Sequence, residues 1–360
     1  MPFDVHPWVD GRRRGWAATT LRGGLRIVSW GYRAVVAIRN RRYDRGRHIE
    51  SIGVPVLCVG NLTTGGTGKT PAVAAVCRRL RQRGVRVAIV SRGYGRGEAG
   101  VNDEAMELYD RLPDVPHVQD PDRVAAARIA VRELESEFIV MDDGFGHRRL
   151  HRDADVVLID ATCPWGHGFV LPRGLMREPP SSLGRAALVM LTRCDQVDAP
   201  EVESIRRAVA GHFAGPVLTS RHRASGLRRD GGDTAALDHL AGQPVALFSA
   251  IGNPAAFERS VAAAGMTVVG HRRMPDHAAI DSEAMEGLRR WIGGLETPPA
   301  AIVCTHKDLV KLRTDRVAGK PLWALQIDLD LDDPGGELDR LIDRLWVTDD
   351  PPATPMNTGA

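Results

Sequence analysis

The chain has 360 residues, 43% of them hydrophobic, so it can bury one large core or two modest ones. Its five cysteines form no C-x-x-C pair and no Cys/His cluster at metal-ligand spacing, which argues against structural zinc and a disulfide framework and favours a reducing compartment. The formal net charge is only +3, yet residues 1–50 contain eleven arginines against four acidic residues, so the N-terminus alone is strongly basic.

The basic N-terminal segment predicts an amphipathic helix between Leu21 and Val36. Apolar side chains recur there at steps of three and four, at Leu21, Leu25, Val28, Tyr32 and Val35. Four arginines fall mostly around the other face, at Arg22, Arg26, Arg33 and Arg39. The pattern is typical of a helix lying in a membrane interface, but a helix packed on its own protein with a solvated basic side fits it equally well.

No apolar run reaches the roughly 20 residues that a membrane-spanning helix needs. The chain also shows no signal-peptide pattern of an apolar region followed by a small-residue cleavage site. We therefore expect a protein that is neither secreted nor inserted across a membrane.

Beyond residue 50, short apolar runs alternate with helical stretches, the first helix running from Pro71 to Arg83. Strands are predicted at 54–59, 85–90, 138–141, 156–159, 187–191, 245–248, 267–269, 301–304 and 323–327. A basic, Gly-rich segment at 220–232 separates two groups of strands and marks a lobe boundary. This alternation predicts an α/β protein with a doubly wound, mainly parallel sheet and a second, smaller α/β lobe.

A glycine-rich loop lies between the first of these strands and the first of these helices. It reads Thr63-Thr64-Gly65-Gly66-Thr67-Gly68-Lys69-Thr70. Glycines let backbone N–H groups turn toward phosphate oxygens, Lys69 can reach the outer phosphates, and the Thr70 hydroxyl can hold Mg²⁺. The loop therefore predicts a P-loop NTPase-like core that binds ATP and Mg²⁺.

An apolar strand at 138–141 ends in Asp142-Asp143-Gly144. Hard oxygen ligands at this edge of a sheet lie beside the phosphate loop, so Asp142 and Asp143 are the candidate acidic partners of Mg²⁺. Arg92, after the second strand, is suited to bidentate contact with phosphate. Asp103 could accept a hydroxyl proton, and Asp276-His277 offers an acid/imidazole pair in the second lobe.

Four motifs in this order resemble the tetraacyldisaccharide 4'-kinase family of lipid A biosynthesis. They are Val59 to Pro71, Ser91-Arg92-Gly93-Tyr94-Gly95, Asp142 to Leu150, and Leu171 to Pro179. The resemblance covers roughly residues 25–345. It implies transfer of the ATP γ-phosphate to the 4'-hydroxyl of a tetraacylated glucosamine disaccharide 1-phosphate, giving the 4'-phosphorylated lipid.

The resemblance also implies an organisation and a location. We expect a membrane-associating segment at 1–50, a P-loop kinase core at 51–225, a C-terminal α/β lobe at 226–348 and a disordered tail at 349–360. The protein would lie peripherally on the cytoplasmic face of the bacterial inner membrane, with its N-terminal helix on the anionic surface. The lipid A precursor is the expected partner; no nucleic acid and no obligate protein partner are indicated.

Site residues follow from matching motif positions. Asp103, supported by His277, would be the catalytic base, and Lys69 would stabilise the transferred phosphoryl group. Thr70, Asp142 and Asp143 would hold the metal. The residues expected to line the nucleotide site are Asn61, Thr63, Thr64, Gly65, Gly66, Thr67, Gly68, Lys69, Thr70, Arg92, His147 and Glu178.

The sequence departs from the family pattern at three positions. Gly146 stands where the family usually has Gln, Asn102 replaces the glycine before Asp103, and Ala278 follows His277 where a second histidine is frequent.

The rival hypothesis is a regulatory P-loop GTPase or ATPase, because the glycine loop resembles that of partitioning and metallochaperone ATPases. Thr192-Arg193-Cys194-Asp195 and Thr305-His306-Lys307-Asp308 each follow an apolar strand, as a guanine-reading Asn-Lys-x-Asp motif does, but neither begins with Asn. A nucleic-acid-binding protein would rest on the basic N-terminus alone.

Overall fold

A computed structural model describes residues 15–93, 103–275, 278 and 280–346. The predicted tail at 349–360, Asp276 and His277 lie outside these residues. The described helices are α1 Trp16–Asp44, α2 Lys69–Gln82, α3 Asp103–Arg111, α4 Arg123–Arg132, α5 Ala199–Ala210, α6 Pro254–Ala263, α7 Ser282–Gly293, α8 His306–Leu312 and α9 Glu337–Trp346. The strands are β1 Val56–Asn61, β2 Val87–Ser91, β3 His117–Gln119, β4 Phe138–Asp142, β5 Ala154–Asp160, β6 Leu188–Thr192, β7 Val217–Arg228, β8 Thr234–Ala235, β9 Pro244–Ser249, β10 Thr267–Arg273, β11 Ala301–Thr305, β12 Arg316–Val317 and β13 Lys320–Asp332.

The chain divides into two compact units. Described residues 15–93, 114–220 and 331–346 form the first unit, and residues 103–113 and 221–330, apart from the undescribed positions, form the second. The predicted bounds of 51–225 and 226–348 differ from this division, because α3 groups with the second unit and α9 returns to the first. The division between Ser220 and Arg221 lies within the segment at 220–232 where a lobe boundary was predicted, and this segment also contains the end of the long strand β7.

The first unit is built on parallel strands in the order β7-β6-β5-β1-β4-β2-β3. Its central strands are buried along their whole length, as expected of a parallel sheet with both faces covered. Helix α4 covers the face that carries Cys58, Ala88 and Met141. Helix α2 packs on the same strands, and its buried side chains lie outside this cluster, so it covers the opposite face.

The second unit has a parallel sheet in the order β10-β9-β11-β13, followed by the second part of β7. The short strands β12 and β8 pair antiparallel with β13 and β7. Apolar residues cover both faces of this sheet, around Val303 on one side and Ile302 on the other. The predicted α/β class with a mainly parallel sheet is confirmed.

Helix α9 closes the first unit against α2. It buries Leu338, Leu341 and Ile342. On its polar side, Asp339 and Asp343 accept from Arg83 at 2.8 and 2.7 Å. The chain's last described helix therefore stabilises the helix that begins with Lys69.

Candidate active site

The site lies where the parallel strands β1 and β4 end side by side. Val59 pairs with Asp142 in the register of these strands, so the loop after β1 begins beside the carboxylate that ends β4. This close approach depends on Gly60, because a Cβ there would come within 2.6 Å of the Phe145 Cβ. The sequence predicted this arrangement from two apolar runs that end in polar residues.

The glycine-rich loop runs directly into α2, whose first residues are Lys69 and Thr70. Gly65 and Gly68 have φ of 101° and 84°, a region that favours glycine. The residue before α2 is Gly68, and no side chain caps the helix. The first N–H groups of α2 can therefore bind an anion, and the helix dipole favours a phosphate there.

Two hydrogen bonds hold the loop on either side. The Thr64 N–H donates to the Leu175 carbonyl at 2.7 Å, and the Thr192 hydroxyl donates to the Thr67 carbonyl at 2.9 Å. Thr192 is the first residue of one motif that resembled guanine recognition. In the structure it supports the phosphate loop, while Arg193 beside it pairs with Asp160.

The acidic pair after β4 has two different environments. Asp142 is buried, with 4% of its surface exposed. Asp143, at φ 53°, accepts two hydrogen bonds from Arg177 at 2.9 and 2.6 Å and lies 3.7 Å from the Lys69 ammonium. Burial would raise the pKa of Asp143, but the Arg177 hydrogen bonds and the Lys69 charge hold it below its ordinary value. Asp143 is therefore ionised at neutral pH.

The side chains at this edge fit a magnesium ion. The Thr70 hydroxyl and the Asp142 carboxylate are hard oxygen donors, and Asp142 lies on a rigid central strand. In the described parts of the chain, no group of three or more His, Cys, Asp or Glu side chains could hold a metal. Proteins usually bind Mg²⁺ with one or two carboxylates together with substrate phosphates.

His147 and Arg92 lie at the same edge. Burial lowers the pKa of His147 to about 4, helped by the charges of Arg123 and Arg152, so its ring is neutral at pH 7. Its Nε2 is buried and has no hydrogen-bond partner among the described residues. Arg92 follows β2. Burial lowers the pKa of Arg123 below its ordinary value, and the charge of Arg92 lowers it further. A neutral imidazole near several guanidinium groups suits an anionic ligand.

Glu178 makes contacts that the sequence did not indicate. It is 2% exposed, and its carboxylate accepts from Arg39 at 2.7 Å, Arg185 at 2.8 Å and Asn40 at 3.1 Å. Arg39 and Asn40 belong to α1. In this structure Glu178 therefore attaches the N-terminal helix to the rest of the first unit, and its expected place in the nucleotide site stays a prediction.

The candidate base and its partner remain predictions as well. Asp103 is the first residue of α3, in the second unit, and its side chain lies outside the described part of the structure. His277 lies outside it entirely.

Comparison with known proteins decides the family. A family model described as tetraacyldisaccharide-1-P 4'-kinase, LpxK, matches residues 21–346. This chain belongs to that family. A tetraacyldisaccharide 4'-kinase of Anaeromyxobacter sp. strain Fw109-5 is 40% identical over 89% of this chain and 91% of its own length. One from Syntrophus aciditrophicus is 34% identical over 85% and 88%.

A solved structure of the same family has the same fold. The "apo" form of LpxK from Aquifex aeolicus, in complex with ATP, superposes with a TM-score of 0.73 at 28% identity. The match covers 91% of this chain and 99% of that one. Both units of this tetraacyldisaccharide 4'-kinase family member therefore have a solved counterpart.

Two arginines of this family member were not singled out as site residues from the sequence. Arg177 lay inside a recognised motif, but its pairing with Asp143, 34 positions away, follows no periodicity. Its guanidinium also donates to the Asn61 amide oxygen. Arg123, at the start of α4, is 6% exposed, and the charges of Asp142 and Asp143 act on its pKa. The sequence signal that could have identified Arg123 was its position directly after Asp122, the aspartate that caps α4.

Proposed function

We propose that this chain transfers the γ-phosphate of ATP to the 4'-hydroxyl of a tetraacylated glucosamine disaccharide 1-phosphate, giving the 4'-phosphorylated lipid. The observation that carries the proposal is the uncapped start of α2, with Lys69 3.7 Å from Asp143, in a chain matched to this kinase family over residues 21–346. This function makes the chain an ATP-dependent kinase of lipid A biosynthesis.

The residues of the first unit divide the work of binding ATP. The N–H groups of the glycine loop and the Lys69 ammonium bind and orient the phosphates. Thr70, Asp142 and Asp143 would hold Mg²⁺, which supplies neutralisation of phosphate charge when bound. Arg177 bridges Asp143 and Asn61 and can donate to a phosphate oxygen as well, since guanidinium has five N–H donors.

The acceptor hydroxyl needs a base, and Asp103 is our assignment for that role, with His277 as its support. A carboxylate that accepts a hydroxyl proton contributes on the order of 10² to 10⁴ in rate. Arg92 and His147 complete the nucleotide side of the site.

Incubation of the full chain with γ-labelled ATP, Mg²⁺ and a tetraacylated disaccharide 1-phosphate tests the function. We expect label on the lipid, and loss of that label when Lys69 is replaced by alanine. Label released only as inorganic phosphate, or a preference for GTP without need of the lipid, would instead support the regulatory NTPase.

The same proposal includes the surface on which the kinase works. Two hydrogen bonds hold one face of helix α1 against the rest of the first unit. The Ser29 hydroxyl donates to the Val170 carbonyl at 3.0 Å, and the Tyr32 hydroxyl donates to the Arg177 carbonyl at 3.1 Å. The opposite face of α1 exposes large apolar side chains. They are Trp16, Ile27, Val28, Trp30, Val35 and Ile38, each more than half exposed.

This outward face carries no charge over most of the helix. The exposed charged residues between 16 and 38 are Arg26 and Arg33, which are seven positions apart and therefore share one flank. No helix in the described parts of the chain is long and apolar enough to cross a membrane. An apolar face flanked by arginines favours an anionic bilayer surface, the cytoplasmic face of the inner membrane, with α1 lying in the interface.

Substitutions on the outward face test the membrane contact better than deletion, because deleting α1 would also leave Glu178 buried without Arg39. Replacing Ile27 and Ile38 with Asp should lower partitioning onto phosphatidylglycerol vesicles by at least about 30-fold, since each isoleucine loses more than about 1 kcal/mol of burial. The matched control is Ile129→Asp, on α4, which is 37% exposed and should bind like wild type. Equal binding by all three proteins would refute the contact.

A further inference from the structure

Helix α3 begins at Asp103, the proposed base, and its position depends on tertiary contacts. It has nine residues, too few for a stable helix in isolation. Ala105 and Leu108 are fully buried, and α3 packs against α8 within the second unit. These apolar contacts hold the helix in place but leave its tilt to be fixed by directional contacts.

The directional contacts lie at the far end of α3. The Asp110 carboxylate accepts a hydrogen bond from His306 Nε2 at 2.7 Å and forms an ion pair with Arg228 at 3.1 Å. Next to it, Arg111 pairs with Glu107 at 2.9 Å and donates to the Ile327 carbonyl at 3.0 Å. The last turn of α3 is thus tied to α8, to the end of β7 and to β13 through residues that all belong to the second unit.

Within the described residues, the His306 ring makes its hydrogen bond to Asp110 alone. It belongs to the second motif that resembled guanine recognition, and it is 4% exposed. Thr305 already caps α8, accepting from the Asp308 N–H at 3.2 Å. The His306 Nδ1 has no hydrogen-bond partner in the described residues. The hydrogen bond from His306 lowers the pKa of Asp110 below its ordinary value, so Asp110 stays ionised at neutral pH.

We propose that His306 is a positioning residue for phosphoryl transfer: with Arg228, it holds Asp110 and so aims the other end of α3, where Asp103 lies. The inference rests on the proposed role of Asp103. From Asp103 to Asp110 the helix is about 10 Å long, at about 1.5 Å per residue. A tilt of about 6° at Asp110 therefore moves Asp103 by about 1 Å, and a misplacement of about 1 Å can cost about 100-fold in rate.

The test measures kcat and KM for ATP with the lipid acceptor. His306→Ala should lower kcat by about 10- to 100-fold and leave KM for ATP within about twofold, because the glycine loop is untouched. His306→Gln should recover most of the rate, since its amide can donate to Asp110 from the same place as Nε2. Asp315→Asn is the matched control: it breaks the Arg229–Asp315 pair, 2.8 Å long and in the same unit, and should leave kcat unchanged.

The decisive variant combines His306→Ala with Asp103→Asn. If His306 acts through Asp103, His306→Ala should cost less than about threefold in the Asp103→Asn background. Additive losses, a raised KM for ATP, or a lower Tm with unchanged kcat would each overturn the inference. If His306→Ala does not fold, Asp110→Asn, which keeps the side-chain shape, carries the same expectations.

Failure of the proposed function looks different from failure of the inference. Absence of label on the lipid with wild-type protein would refute the function itself. Normal turnover by Asp103→Asn would remove the base and the inference together. A loss in Asp103→Asn with normal kcat in both His306→Ala and Asp110→Asn would refute only the positioning role.

Discussion

The Glu178→Gln substitution separates two roles for this carboxylate. The family resemblance implies a place in the nucleotide site, whereas the structure shows contacts to Arg39 and Asn40 of α1 and to Arg185. Burial would raise the pKa of Glu178, but the charges of Arg185 and Arg39 lower it below its ordinary value. The residue is thus a buried anion, and glutamine keeps its shape while removing its charge.

The expected loss of stability follows from these contacts. A hydrogen bond to a charged group contributes about 1.5 to 3 kcal/mol, and Glu178 accepts such bonds from Arg39, Asn40 and Arg185. Glutamine can keep an acceptor for one arginine but turns an N–H toward the other. Arg39 is 42% exposed and can be rehydrated, whereas Arg185 is 20% exposed. We therefore expect a cost of about 3 kcal/mol, or a fall in Tm of about 6 °C.

Three measurements distinguish the two roles of Glu178: thermal unfolding, trypsin cleavage within α1 and KM for ATP. Glu178→Gln should lower Tm, expose Arg41 and Arg42 of α1 to trypsin, and leave KM for ATP within about twofold. Arg39→Ala should produce the same cleavage, and the double variant should add little, because both remove one contact. An unchanged Tm with a tenfold rise in KM for ATP would refute the anchoring role and favour the nucleotide site.

Two further perturbations test the phosphate site and the pH dependence of the free energy of unfolding. Lys69→Ala should lower kcat at saturating MgATP by at least about 100-fold, because it removes the ammonium proposed to bind the phosphates; turnover within threefold of wild type would refute this role of Lys69. Burial lowers the pKa of His117 to about 4 from near 6.5, so between these values the unfolded chain binds a proton that the folded chain does not. The free energy of unfolding should fall by about 2 kcal/mol from pH 7.5 to pH 5 on this account, and urea titrations should show a smaller fall for His117→Asn than for wild type.

The parts of the fold that rest on continuous apolar runs could be read from the sequence. β1, β4 and β6 lie within about two residues of their predicted bounds, because a strand buried on both faces must be apolar along its length. β7 was missed because its middle alternates between exposed and half-buried positions and contains Arg221, Arg223 and Gly226. Such a strand has the composition of a loop, so the sequence predicted a lobe boundary there but not the strand, and the two units do divide between Ser220 and Arg221.

The placement of some site residues could likewise be predicted from the sequence, whereas the contacts of others could not. The placement of Lys69 beside the acidic pair followed from local patterns, since the loop and the aspartates each end a buried strand. The contacts of Arg177 with Asp143 and of Glu178 with Arg39 join positions 34 and 139 residues apart. No spacing rule relates positions so distant, so only the folded chain shows which cation each carboxylate holds.

Helix α1 shows why a helical pattern alone left two hypotheses open. The sequence placed Leu25 and Val28 on one apolar face, but Leu25 is half-buried against the protein and Val28 is 57% exposed. Ser29, Tyr32 and Arg39 bond to the first unit, and these bonds fix the rotation of the helix about its axis. The helix cannot turn its isoleucines and tryptophans inward without breaking them. Exposed apolar area of this kind mostly marks a contact surface. The hydrogen bonds and the ion pair that hold α1 therefore also keep its apolar face directed toward the proposed membrane.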